Sequence, residues 1–381
     1  MFGMSSSSYS LLAAFQMAPV SIRYSQFVPR VYNLARSLGF EAGKIMPSRA
    51  FCSDESQGYP IILIAKHFGT FPFNHGQVGG IVATDRHGPH ADHGKDLVII
   101  QASHVGYDPK TQIFGVYRRL QTENRSETPS CGKICSALEW YLHAYQYAQN
   151  NIILRVNNGQ HEIVIDNQLL HRDRKEGLLL NLDRLVVVDA TGSPKVESCL
   201  STSKTFSASP TFINSLNSYQ WKADRGEPIN DKLSPELFSY RREFSHHAEG
   251  QDHLEINLLK IMQYIVTSKW PALTAAQANS QVEFDRTFRT IIQEPAYQGK
   301  RVLFISGLHV DISPGLGQLF PLTKFIPWAA YVQDTDGSHC TWEQAELYEK
   351  LQAQSTSNPD QVNLESAISD MESVEEILLP F

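Results

Sequence analysis

The chain has 381 residues, 42% of them hydrophobic and 19% charged, a globular composition with enough apolar material for a substantial buried core. Its 40 Asp and Glu outnumber its 33 Lys and Arg, for a formal charge of −7. With no basic run along any face, this excludes the electrostatic footprint of a nucleic-acid binder.

At the N-terminus, MFGMSSSSYSLLAAF lacks the basic start and cleavage site of a signal peptide. Nor does any stretch approach the roughly 20 apolar residues of a membrane-spanning helix. These features predict a cytoplasmic protein with no membrane association. Residues 1–20 read as an N-terminal extension, 21–352 as one domain with an insert around 150–250, and 353–381 as an acidic tail that is mobile or docks on a partner.

Val28, Val31, Ala35 and Leu38 recur at helical spacing, and Gly39 marks the stop, which predicts a helix over 25–38. Residues 45–51 read as a strand running into Cys52. PIILIA (60–65) fits a strand or a buried helix equally. DLVIIQASHV, the turn GYDPKTQ and IFGVY predict a hairpin with His104 near its turn. CSALEWYLHAYQYAQ (135–149) carries Leu138, Tyr141, Leu142 and Tyr145 on one helical face, with Ser130 a candidate cap for an earlier start. NIILRV and HEIVID flank Asn157, Asn158 and Gly159, a hairpin signal, and RLVVVD (184–189) reads as a further strand. Residues 200–250 are polar and weakly patterned, which suggests a surface excursion. A buried helix is expected over 254–270, core strands over 301–308 and 325–332, and a helix after the Thr341/Gln344 capping box.

The chemistry-bearing residues are thiols and imidazoles. Five cysteines, Cys52, Cys131, Cys135, Cys199 and Cys340, are too few and too odd in number for a disulfide framework. A catalytic zinc site draws thiolate and imidazole from separate segments and leaves one position open. Cys52 and His104 at strand ends, with Cys131 or Cys135 at a helix start, fit that demand, and a helix N-terminus favours thiolate. Asp54, two residues beyond Cys52, can accept a hydrogen bond from a metal-bound water. A buried structural thiol and a solvated acidic turn are the plainer readings of the same residues. The loop histidines His87, His90 and His93 suit a second metal, a proton shuttle or an ordinary solvated loop. His75 beside the Gly-rich turn is a candidate for the same cleft, and His339-Cys340 lacks a second ligand pair.

The ordered elements FCSDES (51–56), GGIVATDRHGPH (79–90), ASHVGYD (102–108), GVYRR (115–119) and CSALEWY (135–141) resemble the limiting-CO2-inducible B/C family, the theta-class carbonic anhydrases. That family has a Cys-x-Asp-Glu element, a strand ending in His-Val/Ile-Gly/Ala-hydrophobic-Asp, an Arg-containing strand and a Cys-Gly-Ala-Leu helix start. The resemblance is close over 40–140 and one of pattern afterwards. It implies an α/β fold, a mixed or mostly parallel sheet covered by helices with a beta-carbonic-anhydrase-like active site, and a homodimer.

It also implies Zn2+ held by Cys52, His104 and Cys135, with Cys131 as the alternative to Cys135, and Asp54 beside the metal. Asp54 and His104 would carry the hydration of carbon dioxide to bicarbonate, with small residues around Gly79 and Gly80 making room for substrate. Ser53 departs from the family, which often places Arg there; Arg49, Arg86 and Arg118 are the candidate partners of Asp54. A non-catalytic zinc protein that binds bicarbonate or a protein partner is the alternative, and a Cys–His hydrolase using Cys52 is a third reading.

Overall fold

The computed structural model describes residues 20–76, 96–119, 126–171, 175–217, 219–244, 251–315 and 320–375, together with 15, 17, 317 and 318. These fall into two compact units, one formed by residues up to 134 and from 275 onward, the other by 135–274.

In the first unit the elements run β1 (Ile22–Arg23), α1 (Tyr24–Ser37), β2 (Ile45–Ala50), α2 (Gly58–Phe68), β3 (Phe73–Asn74), β4 (Asp96–Asp108), β5 (Ile113–Phe114), β6 (Val116–Arg118) and β7 (Glu127–Pro129). Helix α3 (Gly132–Asn151) follows. The chain re-enters the unit along α4 (Pro271–Gln293) and ends with β8 (Val302–Ile312), β9 (Leu322–Gln333), β10 (His339–Glu343), α5 (Gln344–Gln352) and α6 (Leu364–Glu372). The main sheet has the order β1-β9-β8-β4-β2-β3. β8, β4, β2 and β3 are parallel, while β9 joins β8 antiparallel and takes β1 and β10 on its other side. The fold is α/β with a mixed sheet flanked by helices.

The continuous apolar run of β4 explains its central place, because a parallel strand is covered on both faces and needs no polar side. Val98, Ile100 and Ala102 pack with α1, α2 and α5. Leu97 and Ile99 pack on the other face with Phe284 and Ile291 of α4. Each of the larger side chains among these, the Val, Leu, Ile and Phe, contributes about 1.5–3 kcal/mol when fully buried. PIILIA is helical: Leu63 and Ile64 join the α1 cluster, and Gly69 closes the helix at φ 70.

Several sequence expectations need correction. β4 does form a hairpin with β5, but only Tyr107 and Asp108 pair there. His104 therefore lies within the strand, beside His309 of β8, and not near the turn. Thr341 belongs to β10 and pairs with Tyr331, and the following helix has Glu343 at its N-cap with no side-chain cap. Ser130 makes no capping bond from its hydroxyl among the described residues.

Helix α4 had no counterpart in the sequence reading because its buried positions include Asn279, Ser280, Glu283 and Thr287, which blur an apolar stripe. In the tail, Asn33 Nδ2 donates to the carbonyls of Ser355 and Ser357, and Tyr32 Oη donates to Asp360. Val362 N donates to the Lys66 carbonyl.

The second unit contains an antiparallel sheet in the order 196–199, 203–207, 160–166, 152–157, 227–228, and a separate pair of strands, 177–180 with 238–241. The predicted hairpin turns through Asn158 and Gly159, both at positive φ, which suits Asn-Gly. Residues 182–185 are helical, with only isolated bridges at Val186 and Val188, so RLVVVD is not a strand. The 200–250 stretch is structured: Phe206, Phe212, Ile229, Leu233 and Phe238 are buried. Helix 254–270 is broken into Gln251–Leu259 and Met262–Val266. No helix of the described residues is long and apolar enough to cross a membrane.

Candidate metal centre

Ligand sites in open α/β sheets gather outside the carboxyl ends of parallel strands, and the first unit follows that rule. β2 ends at Ala50 and delivers Phe51 and Cys52; the C-terminal half of β4 carries His104. Two glycines allow the close packing this requires. A Cβ on Gly76 would lie 2.2 Å from the Phe51 carbonyl oxygen, and one on Gly106 would lie 2.4 Å from that of Val116. Gly106 N donates to the Ser130 carbonyl at 2.8 Å, and Ser130 N donates to that of Gly115 at 2.9 Å. β4 is thereby tied to the segment that ends in Cys131, immediately before α3.

Cys52, His104 and Cys131 are all buried, and one ligand atom from each lies within 4.8 Å of the others. The two Sγ atoms are 3.7 Å apart. Two thiolates on one tetrahedral zinc, each at about 2.3 Å, stand about 3.8 Å apart, so the spacing fits that metal. His104 Nδ1 is 2.9 Å from Asp311 Oδ2, which leaves Nε2 facing the two thiols. Burial alone lowers the His104 pKa, yet Cys131 and the bond to Asp311 hold it well above the usual range. Hydrogen bonding with Cys52, followed by burial, pushes the Cys131 thiol up. Deprotonated as ligands, two thiolates and a neutral imidazole carry two negative charges, which a divalent soft-to-borderline cation would balance.

Around Asp311 several polar groups converge. Asp311 Oδ2 also accepts from Ser56 Oγ at 3.1 Å and Gln57 Nε2 at 2.7 Å, and Oδ1 accepts from Thr323 Oγ1 at 3.0 Å. Asp54 caps the turn 55–57, accepting from Ser56 N at 3.2 Å. Arg119 Nη2 stands 3.4 Å from Asp54 Oδ2, and Arg119 Nη1 donates to Glu55. Tyr117 is pushed up to about 12, first by burial and then by Asp311 and Asp54.

No protein-family model and no curated protein matches the chain. Among solved structures, the crystal structure of PtLCIB4, a homolog of the limiting CO2-inducible protein LCIB, aligns with a TM-score of 0.50 at 12% identity, covering 88% of this chain and 99% of that one. The chain has an LCIB-like fold. A histidine-to-alanine mutant of PtLCIB4 aligns equally well, at TM-score 0.50 and 12% identity, covering 87% of this chain and 96% of the other.

Within the LCIB-like fold, Cys52, His104 and Cys131 lie together in one group. Cys135, favoured by the CSAL match, is not part of it and sits one turn further along α3. Of the arginine candidates, Arg118 pairs with Asp108 at 3.1 Å and Arg49 is half-buried on β2. Arg86, Gly79, Gly80, His87, His90 and His93 lie outside the described residues. His75 is buried, with its backbone N–H on the Arg49 carbonyl. Cys199, His339 and Cys340 are exposed.

Four residues that the structure places around this group were not singled out from the sequence: Arg119, Gln57, His309 and Asp311. One signal was available, since His309 and Asp311 interrupt the apolar run of a core strand, and buried polar residues in such a place need partners.

Proposed function

We propose that this chain is a zinc enzyme of the carbonic anhydrase type, acting on carbon dioxide and bicarbonate. The observation that carries the proposal is the 3.7 Å approach of Cys52 and Cys131 beside the His104 ring. Three ligands of this kind leave one tetrahedral position open, as a catalytic site requires. When bound, zinc supplies the Lewis acidity that makes hydroxide available near neutral pH.

The chain's own residues do the rest. Cys52, His104 and Cys131 hold the metal. Asp54, anchored by the Ser56 amide and Arg119, offers an acceptor oxygen that orients the attacking nucleophile through its proton. Ser53 is exposed, and Arg119, immediately after β6, supplies the cation the family often places at that position. The same reading includes a homodimer, to be checked by light scattering.

The test is metal analysis together with stopped-flow hydration of carbon dioxide on the same protein. The expected result is about one zinc per chain and measurable hydration. Asp54→Asn should keep the zinc and lower the rate by about 10–100-fold, because an amide can donate where the carboxylate only accepts. A folded, active, metal-free protein overturns the reading. Stoichiometric zinc with no hydration by the unmutated protein favours a zinc protein that binds bicarbonate or a partner.

A further inference from the structure

Four polar side chains converge inside the first unit where a core built for stability alone would be apolar. Gln57, His309, Asp311 and Thr323 are all buried, yet their hydrogen bonds form one directed chain. A carboxylate can only accept, so Asp311 Oδ2 must receive protons from Gln57 Nε2 at 2.7 Å and His104 Nδ1 at 2.9 Å. Once Gln57 turns its amide nitrogen toward Asp311, its Oε1 faces His309 Nδ1 at 2.6 Å, and His309 must donate there. The polarity of the whole chain is thus set by the carboxylate in its middle. Its consequence at the far end is that His104 Nδ1 donates to Asp311, which leaves Nε2 as the ring nitrogen facing Cys52 and Cys131.

His309 is well placed to be a fixed point for this chain. It lies in register beside His104, β8 against β4. Its ring is held edge-on by Tyr24 at 4.9 Å and by Phe51 at 4.7 Å, and Phe51 directly precedes Cys52. The ring cannot swing without disturbing the strand end that delivers a metal ligand.

We propose that Gln57 and His309 are positioning residues for the ligand His104, acting through Asp311 to fix its tautomer and ring orientation. Asp311 bonds the ligand directly, and losing such a partner typically lowers metal affinity by about 10–100-fold; Gln57 and His309 stand two and three hydrogen bonds from His104 and act by holding Asp311. The inference rests on the proposed zinc ligands, and extends them to residues that touch neither metal nor substrate.

The experiment uses the full chain, with zinc affinity measured by chelator competition and the cobalt(II)-substituted protein followed by absorption of its thiolate and ligand-field bands. Asp311→Asn, Gln57→Met and His309→Leu should each weaken zinc binding by about 10–100-fold and alter the cobalt spectrum. His309→Asn, which keeps a donor near the Nδ1 position, should restore both toward the unmutated values. If His309→Leu fails to fold, Gln57→Glu, of nearly unchanged size but without the donor, carries the same expectation. Unchanged affinity and spectra in folded Gln57 and His309 variants overturn the inference while leaving the zinc site intact. Failure of the unmutated protein to bind either metal overturns the site reading and this inference with it.

Discussion

Arg119 Nη2 lies 3.4 Å from Asp54 Oδ2, and the same guanidinium reaches Glu55 through Nη1. One planar fork thus holds two adjacent carboxylates, a geometry that a lysine cannot reproduce. Arg119→Ala should leave zinc bound, because no ligand is touched, and should lower carbon dioxide hydration by about 10–100-fold. Arg119→Lys should recover only part of the loss. Rates measured beside zinc content decide this, and an unchanged rate in Arg119→Ala would reduce the pair to a surface contact.

The ligand assignment has an equally direct check. Cys131→Ser should abolish stoichiometric zinc, since it removes one of the two sulfurs 3.7 Å apart. Cys135→Ser, one helical turn along, should retain it. Elemental analysis of the two purified variants suffices, and the opposite pattern would shift the third ligand to Cys135.

Gly106 offers a backbone test. Gly106→Ala would drive a methyl to 2.4 Å from the Val116 oxygen, so β4 must separate from β6 and from the segment bearing Cys131. Overpacking of this kind costs about 1–3 kcal/mol, and zinc affinity should fall with it. Denaturant unfolding and a zinc titration on the same sample are the measurements. Normal values for both would mean that the strand pair is more compliant than described.

His67 predicts a pH dependence. Burial, then Lys66, lowers its pKa from 6.5 to about 4, while Asn358 Nδ2 bonds its carbonyl at 2.9 Å and faces its Nδ1 at 3.3 Å. Between those pH values the unfolded chain takes up a proton that the folded chain refuses. The stabilisation is therefore complete above about pH 6.5 and is lost as pH falls toward 4. His67→Gln should flatten the thermal-midpoint profile across that window. A profile as steep as that of the unmutated protein would place the acid sensitivity elsewhere.

What the sequence determined by itself is local. Helix α1, the core strands β4 and β8 and the Asn-Gly hairpin follow from spacing and turn chemistry, which act within a few residues, while the α/β class came from the family resemblance. Cys52 and His104 were legible because short motifs surround them. The grouping of Cys131, rather than Cys135, with them was not: both flank one helix start, and only the anchoring of Ser130 to β4 brings the earlier cysteine beside Cys52 and His104. Asp311 lies 207 positions from His104, and His309 lies 252 from Gln57. Their meeting depends on β8 pairing in parallel with β4 in one particular register. That pairing arises from burial on both faces of the sheet, a property of the assembled strands that no local window of sequence contains.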